Sequence, residues 1–317
     1  MRNSPFKPLL AALAALSLAA LACAWNGSGA SSTDPELISQ PITHAGLERS
    51  YYLVEPSQMT DPVPLVLSLH GGGGTGQQMC ALAGGIQELA DRERFLVACP
   101  EGVENHWNDG RANDRYRAHI EDIDDVGFLR ALIDRLSTTY NVDPNRIYVT
   151  GVSNGGMMSL RMACEASDVI AAAGAVIASL PDALSCEPEQ PISILLMNGT
   201  EDPLVPWEGG QVHLFRQELG EVLSTPDAVS FWVAANGCDP TPLAEQLPDI
   251  DPQDGTRIYV DTYSGCNGDV AVVLYTVEGG GHTLPGGTQY LPKLIIGRVS
   301  KDLHAGEAIW QFFENAP

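Results

Sequence analysis

Apolar and polar residues follow two rhythms along this chain. Short apolar runs of strand length, "VPLVLSL", "FLVAC", "ISILLM" and "VAVVLYTV", alternate with longer stretches whose apolar positions repeat at helical spacing. "RSYYLVEP" reads as an early strand. Helices are expected near residues 77–92, over "DDVGFLRALIDRLSTTYNV", from Gly155 onward, over "TPDAVSFWVAANGC" and over the closing "DLHAGEAIWQFFENAP". An acidic residue, Asp124 or Asp125, suits the free N–H groups at the start of the second of these. Unbroken apolar strands alternating with helices predict an α/β protein, with a mainly parallel sheet covered by helices on both faces. No repeat and no Pro/Ser-rich divider interrupts residues 46–317, which read as one domain.

One strand-to-helix junction carries chemistry. Residues 147–151 form a short apolar run, a helix pattern begins at Gly155, and between them stands Gly151-Val152-Ser153-Asn154-Gly155. This fits G-x-S-x-G, a turn that lifts a serine onto a sharp corner while the glycines let strand and helix pass without collision. Five residues match by chance too easily to decide the matter, so the serine's partners must come from elsewhere.

In parallel sheets the reactive groups gather at the carboxyl ends of the strands. Of the seven histidines, His304 falls in the terminal helix pattern, His213 in a helix-like stretch, and His44, His106 and His119 in polar segments. Only His70 and His282 end strands in glycine-rich turns. His70 precedes the serine and belongs to "HGGGG", so His282 is the candidate general base. In the order Ser, acid, His expected of this architecture, "NGTEDPLVPW" supplies the acid. Asp202, held by Pro203, is preferred, with Glu201 as the alternative; its part is to orient the imidazole and stabilise its cation. Backbone N–H groups of Gly72 and Asn154 are the expected oxyanion donors. His70, Trp107 and Trp207 are candidate walls of the substrate cleft, although tryptophans at the last two positions serve core packing equally well.

Gly71 to Gly76 also satisfies G-x-G-x-x-G after a strand, with Glu101 near the place of the acidic partner, which leaves nucleotide binding as a rival from another class. A P-loop is excluded because no Gly-Lys-Ser/Thr follows. Residues 249–255, "DIDPQDG", fit a calcium loop less well than a solvated acidic one.

Composition changes the picture in two ways. The net charge is −23, an acidic balance that repels nucleic acid phosphates and anionic membranes. No nucleic acid or protein partner is implied. The first 24 residues combine Arg2 and Lys7 with "PLLAALAALSLAALACA" and small residues, the layout of a secretory signal; at about 17 residues the apolar run is short for a membrane span. Residues 25–45 read as a flexible linker. Ala20-Leu21-Ala22-Cys23 is near a lipobox with its leucine one place late, so a lipid anchor at Cys23 is the sole membrane association considered. Six cysteines remain, an even number that suits disulfides in an exported chain. Order and spacing pair Cys164 with Cys186 and Cys238 with Cys266, leaving Cys80 for Cys99. No C-x-x-C occurs to suggest structural zinc.

Taken in order, "LVLSLHGGGG", "HWNDGR", "DDVGFL", "GVSNGGMMS", "NGTEDPLVPW" and "GGGHTLPGG" give the chain from Arg49 onward a resemblance to the polyhydroxybutyrate depolymerase-like esterases. That group includes feruloyl and acetylxylan esterases of carbohydrate esterase family one. The resemblance implies an α/β-hydrolase fold and a secreted serine carboxylesterase that needs no metal or cofactor. The family's nucleophile, acid and base fall on Ser153, Asp202 and His282, and its common disulfide on Cys238 and Cys266. Where the family usually has tryptophan after "GGGHT" this chain has Leu284, which takes an expected aromatic wall from the cleft. Polyester depolymerases tend to carry an added polymer-binding domain, not visible in these residues, so a soluble or oligosaccharide-borne ester is expected. A serine peptidase and a non-catalytic binding protein of the same fold are the alternatives.

Overall fold

Strands β3 (Val63–Leu69), β4 (Leu96–Pro100), β6 (Ala172–Val176) and β7 (Ser193–Gly199) are buried at every position, as strands covered on both faces must be. With β5 (Val142–Val152) and β12 (Val272–Glu278) they form the parallel centre of a ten-stranded sheet. Its order is β1-β2-β4-β3-β5-β6-β7-β12-β11-β10, the flanks being β1 (Gln40–His44), β2 (Leu47–Val54), β10 (Leu243–Gln246) and β11 (Arg257–Tyr263). All four flanking pairings are antiparallel. The computed structural model describes residues 37–59, 61–82, 85–214 and 216–317. The predicted leader, Cys23 and the first part of the predicted linker lie outside the described residues.

The pleat sends alternate residues to two helical layers. On one face, Leu65, Leu67 and Val149 meet α3 (Asp125–Tyr140), α4 (Asn154–Glu165) and α5 (Thr225–Asn236), whose Phe128, Met157 and Trp232 are fully buried. On the other, Val66, Val97 and Tyr148 meet α2 (Ile86–Glu93) and α6 (Ala305–Glu314). There Trp310 stacks on Phe95 at 4.0 Å and Phe313 on Tyr148 at 4.7 Å between ring centres. The α/β expectation, with helices on both faces, is what the chain adopts.

Local details depart from the sequence reading. The helix expected over residues 77–92 is two, α1 (Gly76–Leu82) and α2, with Gly85 at a left-handed φ of 79° opening the second. His213 lies in a strand, since β8 (Gly210–Leu214) and β9 (Gln217–Val222) form a separate hairpin. β10, exposed at all its positions, had no apolar periodicity to announce it. The flexible linker expected to run to residue 45 is corrected from Gln40, because β1 pairs with β2 and buries Ile42. At the head of α3, Asp124 is the cap, accepting the Gly127 N–H at 2.8 Å, while Asp125 turns inward to Arg49 at 2.7 Å.

Among the described residues three disulfides join Cys164 to Cys186 and Cys238 to Cys266, the pairs expected from order and spacing, and Cys80 to Cys99, the pair left over. They tie α1 to β4, the end of α4 to the segment before β7, and the end of α5 to the turn after β11.

Candidate active site

Ser153 occupies the corner between β5 and α4 with φ 53° and ψ −120°, a conformation an L residue holds only when its surroundings impose it. Its N–H donates to Val176 O at 2.9 Å and its carbonyl accepts from Met157 N–H at 2.9 Å. The flanking glycines are required by contact. A Cβ at Gly155 would lie 2.4 Å from the carbonyl oxygens of both Leu69 and His70, and one at Gly151 would lie 2.4 Å from Gly155 O. The half-buried serine thus projects from a turn with no room for a side chain at Gly151 or Gly155, two residues to either side of it.

His282 and Asp202 follow neighbouring parallel strands, β12 and β7, at the same end of the sheet as Ser153. His282 Nδ1 and Asp202 Oδ2 are 2.7 Å apart, and both residues are buried. Asp202 Oδ1 accepts the N–H groups of Leu204 at 2.8 Å and Val205 at 2.9 Å, the turn that Pro203 helps to set. An ionised carboxylate only accepts, so Nδ1 carries the proton and Nε2 keeps the lone pair a general base needs. The imidazole's backbone is anchored as well: His282 N–H donates to Ile296 O at 2.6 Å, and Tyr290 Oη–H donates to His282 O at 2.9 Å. Glu201, the alternative acid, is exposed and pairs with Arg298 at 3.0 Å.

The "HGGGG" loop ends β3 beside this corner. Gly73 N–H donates to Asn105 O and Gly74 N–H to Gly71 O, each at 2.9 Å. His70 Nε2 accepts the Gly102 N–H at 3.0 Å, so its proton is on Nδ1, which donates to Gly71 O at 2.8 Å. Burial pushes the His70 pKa down to about 4, in keeping with this neutral form. The Gly71 carbonyl is therefore held by two donors. Across a planar trans peptide the Gly72 N–H points the opposite way. A Cβ placed on Gly72 would lie 3.7 Å from Asn154 Cβ, which sets this backbone next to the start of α4. There the Asn154 N–H, first of the helix, has no intrahelical acceptor.

Two expected cleft walls are corrected. His70 is 2% exposed and Trp107 fully buried, and their polar atoms are turned to main-chain partners. Leu284 is half-buried and lines an apolar cavity with Val152, Ile309 and Trp310 on the α6 side of the sheet. Trp207 is half-buried, packed in part against the α5-side core.

A buried network beneath Asn154 went unread in the sequence, although "HWNDGR" supplies two of its members, Asp109 and Arg111. Asp109 Oδ2 accepts from Asn154 Nδ2 at 2.7 Å and from Arg111 Nη2 at 2.8 Å, and Asp109 Oδ1 accepts from His119 Nε2 at 3.0 Å. Burial works against the charge on Asp109, yet Arg111 and His119 hold its carboxyl well below the usual range. Asp125 adds a bond from Asn108 N–H at 2.7 Å, so the whole 107–109 segment is fixed from below.

The rival sites resolve into structural roles. Glu101 accepts backbone N–H groups of Gly76 and Gln77 at the head of α1. In residues 249–255, Asp249 pairs with Arg257, Asp251 with Lys301, and Asp254 accepts from Thr256.

No protein-family model matches the chain. It is 31% identical over 289 residues to a Nocardia uniformis subsp. tsuyamanensis protein named "Putative esterase NocK", covering 88% of this chain and 83% of that one. It is 26% identical to poly(3-hydroxyalkanoate) depolymerase C of Paucimonas lemoignei, over 73% of this chain and 57% of that one. Among solved structures, the acetyl xylan esterase from Aspergillus awamori superposes with a TM-score of 0.55 at 15% identity, over 88% of this chain and all of that one. That likeness is one of fold.

Proposed function

The chain belongs to the esterase family that includes feruloyl esterases, acetylxylan esterases and polyhydroxyalkanoate depolymerases, and we propose that this carboxylic ester hydrolase works through an acyl-enzyme on Ser153. His282 Nε2 takes the Ser153 hydroxyl proton as the oxygen attacks the ester carbonyl. The carbonyl oxygen, now negative, is received by the N–H groups of Gly72 and Asn154. Asp202 holds the imidazole in the required tautomer and stabilises its cation. The protonated imidazole then passes the proton to the leaving alcohol oxygen, and the C–O bond breaks. Water, deprotonated by the same nitrogen, attacks the acyl-enzyme; the bond to the Ser153 oxygen breaks, the imidazolium returns its proton to that oxygen, and the acid is freed.

The observation that carries this reading is the 2.7 Å bond from His282 to Asp202, on strand ends beside a serine held at positive φ. Ser153→Ala is expected to abolish p-nitrophenyl acetate hydrolysis, and activity near wild type would remove Ser153 from the reaction. For the natural substrate, an ester borne on a soluble molecule or an oligosaccharide is favoured, on the names of two further relatives, feruloyl esterase B of Piromyces equi (33% identical over 51% of this chain) and an acetylxylan esterase of Coprinopsis cinerea (30% identical over 54% of this chain). A panel of methyl ferulate, acetylated xylan and hydroxybutyrate oligomers tests it; turnover confined to the last would reverse the preference.

Export to an oxidising compartment is part of the same proposal. Three disulfides support it, and among the described residues no helix is long and apolar enough to cross a membrane. Recovery of the expressed protein in a fully reduced, intracellular form would count against it.

A further inference from the structure

We propose that Trp107 is a positioning residue that locks the two oxyanion donors, Gly72 N–H and Asn154 N–H, into one rigid frame. The inference rests on the oxyanion assignment made above. The two donors come from separate segments: Gly72 from the turn after β3, Asn154 from the corner after β5. Nothing in either segment alone sets their mutual distance, and an oxyanion site works only when both point at one oxygen.

Trp107 bridges the two segments with every polar group it has. Its indole Nε1–H donates to His70 O at 3.0 Å, the carbonyl at the end of β3 that leads into the glycine loop. Its backbone N–H donates to Asn154 Oδ1 at 2.9 Å, and its carbonyl accepts from Asn154 Nδ2 at 3.0 Å. The side-chain amide of Asn154 is thereby paired at two points, like one peptide against another. Asp109 takes the second Nδ2 proton, and because an ionised carboxylate only accepts, the amide has a single orientation. The indole ring also lies against the His70 imidazole, centres 5.0 Å apart, and that imidazole holds the Gly71 carbonyl. Moving either donor segment therefore breaks a bond to Trp107.

Core packing alone does not account for this side chain. Its ring does sit in the α5-side core, but phenylalanine would fill much of the same space without the N–H. Trp107 is fully buried and so does not touch substrate. Its effect on the reaction must pass through the backbone it holds.

The test replaces the N–H and reads the transition state separately from the ground state. Trp107→Phe, Ser153→Ala and wild type are compared for kcat and KM on p-nitrophenyl acetate, for inhibition by phenylboronic acid, and for thermal midpoint. The boronate forms an anionic tetrahedral adduct on the serine and so uses the oxyanion site. In Trp107→Phe, kcat is expected to fall about tenfold to a hundredfold with KM within about threefold, since displacing a donor by an ångström costs on this order. Boronate affinity should weaken in step with kcat. A folded Trp107→Phe enzyme with kcat and boronate affinity within twofold of wild type, or one whose loss lies in KM alone, overturns the proposal. If the phenylalanine variant does not fold, 3-benzothienylalanine at position 107 keeps the ring volume and removes only the donor, and the same outcomes apply. An active Ser153→Ala enzyme would instead overturn the serine mechanism, whatever Trp107 does.

Discussion

His282 and Asp202 meet at 2.7 Å across the ends of two adjacent parallel strands, while the neighbouring Glu201 reaches out to Arg298. The chain places two acids side by side and the fold separates them. Asp202 is buried with both oxygens engaged, and Glu201 is a surface ion pair of small energetic weight. Asp202→Asn is therefore expected to lower kcat about a thousandfold or more with KM little changed, because an amide there favours the wrong imidazole tautomer. Glu201→Gln should stay within about twofold of wild type. Steady-state kinetics on one chromogenic ester distinguishes them; equal losses in both would refute the division of roles.

The corner at Ser153 depends on its glycines. Gly155→Ala puts a methyl group 2.4 Å from two carbonyl oxygens that belong to the end of β3 and the start of the glycine-rich loop after it. The expected cost is about 1–3 kcal/mol or more of stability, with activity lost by displacement of the serine. Denaturant unfolding, paired with ester hydrolysis at low temperature, measures both.

His70 gives the stability a pH dependence of known sign. Its folded pKa, about 4, lies below its ordinary 6.5 because burial disfavours the charged ring. Between these values the unfolded chain binds the extra proton, so stability rises with pH across this window and is lost as pH falls from 6.5 toward 4. The full contribution is up to about 3 kcal/mol. His70→Asn should flatten this part of the curve. Chemical denaturation of both proteins at pH 4, 5, 6 and 7 checks it, and parallel slopes would show that His70 contributes nothing to the acid limb.

The bridge from Cys164 to Cys186 anchors the end of the helix that Ser153 opens. Replacing both cysteines with alanine should lower stability by about 3 kcal/mol, chiefly by freeing the unfolded chain. Specific activity of the folded fraction at 25 °C should be retained, since Cys164 lies at the far end of α4. A thermal midpoint unmoved by the double substitution would show that the bridge adds nothing to the fold.

The apolar runs and helical spacings determined the α/β architecture on their own, because burial on one face or on two leaves its period in the chain. They also located Ser153 at a strand-to-helix corner and His282 and Asp202 just beyond strands, since each of those positions is defined by the element before it. The order and spacing of the cysteines anticipated two of the bridges, Cys164 to Cys186 and Cys238 to Cys266, and left Cys80 and Cys99 as the remaining pair. What tertiary structure alone decided is which side of the backbone each polar group faces and what it meets there. His70 and Trp107 looked like cleft walls because both stand beside glycine-rich or polar segments, yet the fold turns the His70 ring inward to Gly71 and Gly102 and the Trp107 indole to the His70 carbonyl. Asp109 reaches Asn154 across a span that no local period records. Periodicity reports how deep an element sits. The pairing of buried donors and acceptors depends on contacts between distant segments, and those exist only once the sheet has assembled.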